Sequence, residues 1–179
     1  MWLAEVKAKA KRKNQILFSK DSLFLDELCQ LVAQANRRAL VLWALELAEE
    51  TARVLAEKYP EDFRPKEAVE AATSWAKGQI KMPIAKQAIL NCHAMAKELE
   101  NPTDIARCHA VGQACSVVHT VGHALGYPMY ELTAIILEQG LDDCRESMEQ
   151  RVMYYEQRLR YWVEYEKTCQ QNWAGFLKK

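Results

Sequence analysis

Glycine and proline are scarce in this chain, and they are spaced so that helical segments fit between them. Its 179 residues include only six Gly and five Pro. The segments between them are rich in Ala, Leu, Glu and Lys, which lose little free energy on entering a helix. No segment alternates apolar and polar residues convincingly, so we expect no strands. The pattern predicts an all-α protein, an up-and-down bundle of about seven or eight helices with a long C-terminal helix.

Capping residues and breakers set the expected boundaries of these helices. Asp21 and Asn101 suit helix N-caps, and Asp104 is placed to reach back to the second of these caps. Pro60 ends the expected helix 36–59, and Gly78 suits a left-handed C-terminal cap of the next helix. The expected helices before the last one span residues 2–18, 21–34, 36–59, 65–78, 83–99, 101–125 and 128–140.

The segment 142–174 contains no Gly or Pro and predicts one long amphipathic helix. Apolar side chains recur along and just beyond it at steps of three and four: Cys144, Met148, Val152, Tyr155, Leu159, Trp162, Cys169, Trp173 and Phe176. Such a stripe packs on the domain's own core or forms a coiled-coil seam with a second copy. We favour core packing. Because a coiled-coil seam is the alternative, the chain could be a monomer or a homodimer.

Length and patterning indicate a single helical domain, 1–179. It comprises a basic N-terminal segment (1–20), a helical core (39–140) and the C-terminal helix (142–174). Six basic residues of the first segment face only one acidic residue, Glu5: they are Lys7, Lys9, Lys11, Arg12, Lys13 and Lys20. This segment could contact nucleic acid or anionic lipid, but a solvated and partly mobile first helix is the simpler interpretation.

Charge and composition limit the classes of partner and the cellular locations that we expect for this protein. The formal net charge is zero, with 24 basic and 24 acidic side chains, so a dedicated nucleic-acid binder is not expected. No apolar run is long enough for a secretory signal or a membrane span, and we expect neither. The six cysteines are scattered among helical segments, which favours reduced thiols in a cytoplasm.

The expected sixth helix carries the sharpest candidate for a metal site. Four ligand-type side chains fall within about 80° of one another at ~100° per residue: Cys108, Cys115, His119 and His123. However, Thr120 stands where zinc hydrolases place a glutamate, and Gly112 and Gly122 on the same face would admit a neighbouring helix. A tightly packed helix with hydrogen-bonded histidines is the simpler interpretation, so we expect no metal or other cofactor.

The sequence suggests no active site. Cys-His-Ala occurs twice, from Cys92 and from Cys108, a repetition that we treat as coincidence. Neighbouring residues on a helix point about 100° apart, so neither Cys-His pair forms a thiolate–imidazole dyad by itself. No glycine-rich phosphate loop and no strand–turn–helix setting for a serine nucleophile occurs. We therefore expect a protein that is not an enzyme.

Several segments between residues 39 and 134 form a recognisable series. They are Ala39–Ala48, Arg64–Ala72 followed by Trp75–Gly78, Asn91–Ala94, Ala110–Cys115, and His123–Gly126 followed by Tyr130. The series resembles the immunity protein family of bacterial polymorphic toxin systems. The resemblance implies an all-helical cytoplasmic protein that neutralises a toxin by binding it, with no catalytic residues to transfer. The basic N-terminal segment and the C-terminal helix lie outside the resemblance.

Acidic residues crowd the end of the bundle where the connections 60–64, 100–103 and 140–141 would meet. This acidic end comprises Glu57, Glu61, Asp62, Glu98, Glu100, Asp104, Glu138, Asp142 and Asp143. The opposite, basic end gathers Arg37, Arg38, Lys77, Lys81 and Lys86. We expect the acidic end to attract a basic toxin. The expected contact residues are Glu98, Glu100, Asp142 and Asp143.

Three functions therefore compete. The leading interpretation is a non-catalytic bacterial protein that binds a cognate toxin. One alternative is a metal- or ligand-binding helical protein, with or without enzymatic activity, that uses Cys108, Cys115, His119 and His123. The other is a dimeric helical scaffold that is held together by the C-terminal stripe.

Overall fold

The computed structural model describes residues 2–179, which form eight α-helices, three short 3-10 helices and no strand. The α-helices are α1 (Trp2–Lys11), α2 (Asp26–Gln34), α3 (Arg37–Lys58), α4 (Arg64–Ala76), α5 (Met82–Ala96), α6 (Pro102–Ser116), α7 (Gly126–Gln139) and α8 (Arg145–Glu166). The 3-10 helices are Leu23–Leu25, Val121–His123 and Gly175–Leu177. The expected all-α bundle is confirmed. Within the described residues, none of the helices has the length and apolarity needed to cross a membrane.

Local signals place most helix ends correctly. Asn36 caps α3 by accepting from the Ala39 amide at 2.9 Å, and Asn101 caps α6 by accepting from the Thr103 amide at 2.9 Å. Gly78 (φ 75°) and Gly140 (φ 85°) follow α4 and α7 in the left-handed region that favours glycine. These ends follow the sequence because each depends on residues within one helical turn.

Two expected N-terminal features are wrong. Asp21 does not cap the second helix, because the chain there begins with the 3-10 helix Leu23–Leu25, whose N-cap residue is Ser22. Asp104 does not reach back to Asn101. Its carboxylate instead accepts from Lys58 Nζ at 3.0 Å and from the Tyr59 hydroxyl at 2.7 Å. A charged partner from α3 therefore replaces the local capping contact.

α6 lies at the centre of the bundle, where it packs against α3, α4, α5 and α7. Its buried side chains are mostly small, which lets four neighbours approach closely: Ala106, Cys108, Ala110, Val111, Gly112, Ala114 and Cys115. The packing of α6 therefore determines how the surrounding helices meet.

α6 ends at Ser116, so the expected helix to Leu125 is wrong. Four of the next five residues are β-branched, which weakens the preference for helix. The Arg37 guanidinium donates to the carbonyl oxygens of Val118 (3.3 Å) and His119 (2.8 Å), which satisfies acceptors that a continuing helix would have used. Residues 117–125 therefore form a turn and a 3-10 helix instead of two further turns of α6.

α8 covers Arg145–Glu166 and not the whole of 142–174. After it, residues 169–174 have no regular secondary structure, and the chain is tied to the basic end. The Ala174 amide donates to the Ala76 carbonyl at 2.7 Å, and Arg38 Nε donates to the Leu177 carbonyl at 2.7 Å. These contacts replace the last expected turns of helix.

The apolar stripe of α8 packs on the domain's own core, as we favoured. Met148, Val152, Tyr155 and Leu159 are all buried in the same hydrophobic cluster as the central helices. Trp173 is buried too, but it belongs to the irregular segment that follows α8.

A partly buried polar network also holds α8 on α3 and α7. Arg151 donates to Glu50 of α3 at 2.9 Å and to Glu131 of α7 at 2.9 Å. Tyr155 donates to Glu131, and Arg158 forms an ion pair with Glu46 at 2.7 Å. Charge-assisted hydrogen bonds of this kind fix the orientation of α8 as well as its contact.

The basic N-terminal helix is packed against the bundle. α1 ends at Lys11 and not at Phe18, and its Val6 side chain is buried. The Trp2 ring stacks on Phe24 with centroids 4.3 Å apart. Lys9 forms an ion pair with Glu5 at 2.7 Å, so part of the basic charge is neutralised within the helix.

Candidate functional site

Three of the chain's four histidines line one cleft at the basic end, with a volume of about 270 Å³. We call it the histidine cleft. Its walls are Trp75 of α4; Met82, Lys86, Ile89, Leu90 and His93 of α5; Ser116 of α6; and His119 and His123 of the segment that follows. Apolar side chains form most of this surface, and a few polar groups converge on it, which is the usual composition of a ligand site.

His93 is held in place from α6. Its Nδ1 lies 2.8 Å from Nδ1 of His109, so one ring donates an N–H hydrogen bond to the other. Gly112 makes room for this arrangement, because a Cβ atom there would lie 2.3 Å from His93 Nε2. The close approach of α5 to α6 therefore fixes the imidazole at the wall of the cleft.

His123 is fixed in a similar way. Its Nδ1 lies 2.9 Å from Gln113 Oε1, and because a carboxamide oxygen only accepts, the imidazole Nδ1 donates. A Cβ atom at Gly126 would lie 2.4 Å from the same Gln113 oxygen. A second glycine thus leaves space for the residue that orients a cleft histidine.

His119 is positioned by its ring and by its backbone. The imidazole stacks on Trp75 with centroids 5.6 Å apart and an interplanar angle of 23°. Its carbonyl oxygen accepts from Arg37 at 2.8 Å. All three histidines of the cleft are therefore oriented by partners that lie on other elements.

Burial makes His93 hard to protonate. Removal from water, with the neighbouring His109 and His123, lowers the pKa of His93 to about 4. Burial, with the charge of Lys97 as a smaller effect, also lowers the pKa of His109. Near neutral pH the hydrogen bond between the two rings is thus a contact between neutral imidazoles.

Acid should destabilise the protein through His93. The unfolded chain binds this proton near pH ~6.5, whereas the folded chain binds it only near pH 4, so protonation favours unfolding. The stability contribution is complete above pH ~6.5 and is lost between that pH and about 4. We expect the difference in Tm between pH 7.5 and pH 5 to be smaller in His93→Gln than in the unsubstituted protein. An equal difference in both proteins would contradict the assignment.

The four candidate metal ligands of the alternative interpretation are not brought together. Cys108 and Cys115 are buried in the core on α6, whereas His119 and His123 lie beyond the end of that helix. Burial raises the pKa of both thiols to about 12, so neither is a thiolate near neutral pH. Across residues 2–179, no three or more His, Cys, Asp or Glu side chains are grouped so that they could hold a metal ion.

The two Cys-His-Ala triplets, treated above as coincidence, face each other across α5 and α6. Cys92 Sγ lies 3.5 Å from the Cys108 carbonyl oxygen, and His93 contacts His109. The repeat at a spacing of 16 residues was the signal in the sequence, but only antiparallel packing turns it into contacts. Burial raises the pKa of the Cys92 thiol well above its ordinary value, so Cys92 forms no thiolate–imidazole dyad with either histidine.

Ion pairs neutralise some of the charge at the acidic end. Glu98 is held by two hydrogen bonds from Arg64, at 2.9 and 2.7 Å. Asp142 contacts Lys7 at 3.4 Å, although its side chain remains 91% exposed. Within residues 2–179, no ion pair forms to Glu100 or Asp143, and both side chains are exposed.

A salt-bridge network ties the connections of the acidic end together. Lys58 of α3 binds Asp104 of α6 at 3.0 Å, and Arg107 joins Asp104 (3.2 Å) to Glu138 of α7 (2.8 Å). A shallow depression there is lined by Lys58, Glu100, Asn101, Pro102, Thr103, Leu137 and Glu138. The remaining free carboxylates therefore stand on a rigid surface.

Comparison with known proteins identifies a family. Residues 30–158, which are 129 of the 179 residues, match the model of a family described as "Imm-5 like putative immunity protein". The matched range runs from α2 into α8 and contains the histidine cleft and all nine residues of the acidic end. No curated protein and no solved structure matches the chain.

Proposed function

Because this chain belongs to the Imm-5 like immunity protein family, we propose that it neutralises a cognate toxin by binding it directly. The observation that carries the proposal is the family match over 30–158. Binding takes place in the cytoplasm of a bacterial cell, and the protein catalyses no reaction of its own. The buried, protonated thiols of Cys92, Cys108 and Cys115 support this, because a neutral core thiol is a poor nucleophile.

The acidic end is the proposed docking surface. Its contact residues are Glu98, Glu100, Asp142 and Asp143. Two of them, Glu100 and Asp143, are exposed without an ion pair inside the described chain, so they are available to a basic partner. Carboxylates on a rigid surface accelerate association with a positively charged protein and help to orient it.

The test of the function begins with capture of the partner. The immobilised protein is incubated with lysate of its native cell, and bound proteins are identified by mass spectrometry. The partner is then produced in a test bacterium with and without this chain. We expect the partner to arrest growth by itself and the co-produced chain to restore growth. Growth arrest that persists at equal expression would contradict the proposal.

Charge reversal tests the docking surface. The variant Glu100→Lys/Asp143→Lys should reduce the association rate with the captured toxin by about tenfold at low salt, and less at high salt. Neither substitution breaks an ion pair within residues 2–179, so folding should be unaffected.

The matched control is Asp21→Lys/Glu164→Lys, which makes the same change in net charge outside the acidic end. Both residues are exposed, and the ion pair between Glu164 and Lys167 is solvent-exposed at both partners. Association rates are measured by surface plasmon resonance. Equal slowing by the two double variants would show that net charge alone matters and would remove the docking surface.

A further inference from the structure

We propose that the histidine cleft binds a small aromatic carboxylate, a function separate from toxin neutralisation. The cleft lies at the basic end, opposite the proposed docking surface. The proposal depends on three features of the cleft: the shape of its apolar walls, the charge of its lining, and the fixed orientation of its imidazoles.

The apolar walls suit a flat ring system. Trp75 and Ile89 form the buried part of the cleft, at 5% and 6% exposure, whereas Met82 and Leu90 at the mouth remain 40% and 49% exposed. A ligand between them would cover apolar surface that now faces water. An apolar cavity of ~150 Å³ accepts benzene. A cleft of about 270 Å³ therefore has room for one ring or two fused rings.

The charge of the cleft lining favours a negatively charged ligand. Among the residues that line the cleft, Lys86 is the charged one and no carboxylate is present. Within residues 2–179, Lys86 forms no ion pair, and the same holds for Lys77 and Lys81 on the same end of the bundle. A carboxylate at the mouth would meet an ammonium group that has no competing partner, and a cationic ligand would meet only repulsion.

The imidazoles are oriented before any ligand arrives. His93 is held by His109, His123 by Gln113, and His119 by stacking on Trp75. Side chains that are already ordered lose little entropy on binding, so little of the free energy of their contacts with the ligand is offset. The glycines at the close contacts, described above, leave the space that this order requires. His119 offers a ring nitrogen that no other described residue bonds.

The test compares three ligands that share one ring system. Isothermal titration calorimetry measures binding of 2-naphthoate, of neutral 2-naphthylmethanol and of cationic 2-naphthylmethylammonium to the full chain. We expect one site per chain. The carboxylate should bind at least about tenfold more tightly than the alcohol, and the ammonium compound should bind more weakly than either.

Variants locate the site. Lys86→Gln should reduce the affinity for 2-naphthoate to that for the alcohol, and Lys97→Gln, an exposed lysine at the other end of α5, should leave it unchanged. Leu90→Trp should fill the mouth and abolish binding of both ligands. Leu90 and Lys86 are exposed, so both variants should fold, and circular dichroism checks this.

Three outcomes would overturn the proposal. They are the absence of saturable binding up to millimolar 2-naphthoate, equal affinity in Lys86→Gln, and binding of Zn²⁺ that is lost in His119→Ala while 2-naphthoate does not bind. The last outcome would identify a metal site. None of these results depends on the captured toxin, so failure here leaves the growth-rescue test unaffected, and the reverse also holds.

Discussion

Arg151→Met is expected to lower the free energy of unfolding by about 3–4 kcal/mol, because it removes one partner of a partly buried charge network. The Arg151 side chain is 21% exposed and the Glu131 side chain 13%. Without the guanidinium, Glu131 and the hydroxyl of Tyr127 lose a hydrogen-bond donor, and Glu50 loses its ion pair. Removal of one member of such a group leaves the remaining charge poorly solvated, which is more destabilising than the loss of the contact itself.

The matched control for this variant is Arg160→Met on the same helix. Arg160 pairs with Glu27 at 2.8 Å, but the two side chains are 56% and 65% exposed, so water replaces the interaction and the change should be below about 1 kcal/mol. Both variants are unfolded with urea and followed by circular dichroism. If the two lose equal stability, the polar network contributes no more than a surface ion pair does.

Gly112→Leu is expected to lower the free energy of unfolding by about 3 kcal/mol, because α5 and α6 meet where this residue has no side chain. A Cβ atom there would lie 2.3, 2.4 and 2.8 Å from three atoms of the His93 ring. Relief of this clash requires His93 to swing away, which breaks its contact with His109, or the two helices to separate. Either change also disturbs the wall of the histidine cleft.

Gly122→Leu serves as the control for this substitution. A Cβ atom at Gly122 would meet only Thr120 Cγ2, at 3.7 Å, which is ordinary van der Waals contact. Its stability should change by less than about 0.5 kcal/mol, as for most surface substitutions. The double variant His93→Ala/Gly112→Leu should recover part of the lost stability, because it removes the ring that the new side chain displaces. No recovery would mean that the clash lies elsewhere.

The candidate sites differ in how far the sequence predicts them. The acidic end was predicted from alternating helix directions, and in the structure Arg107 joins two of its members, Asp104 and Glu138, by ion pairs. The metal set of Cys108, Cys115, His119 and His123 required one continuous helix, and it failed once α6 ended at Ser116. The histidine cleft was missed because His93 lies on α5 whereas His119 and His123 follow α6, and spacing along one helix says nothing about contacts between two.

Ionisation was also outside the reach of the sequence. Glu98 and Glu100 are two residues apart and look alike in the chain. In the structure Glu98 is bound by Arg64, and this hydrogen bond lowers the pKa of its carboxyl, whereas Glu100 pairs with no described residue. The difference depends on where α4 places Arg64, and that position is a property of the packed bundle.

The scarcity and spacing of glycine and proline determined by themselves that this chain is a helical bundle, and asparagine caps and prolines determined where α3, α4, α5 and α6 begin. These features depend on residues within one turn, and a linear pattern records such contacts. Tertiary structure decided where α6 and α8 end and which histidines meet. The responsible contacts span 82 residues from Arg37 to His119, 139 residues from Arg38 to Leu177, and 16 residues from His93 to His109. Where carbonyl groups at a helix end accept hydrogen bonds from residues far away in the sequence, packing fixes that helix end. The free energy of those hydrogen bonds exists only after the bundle has formed.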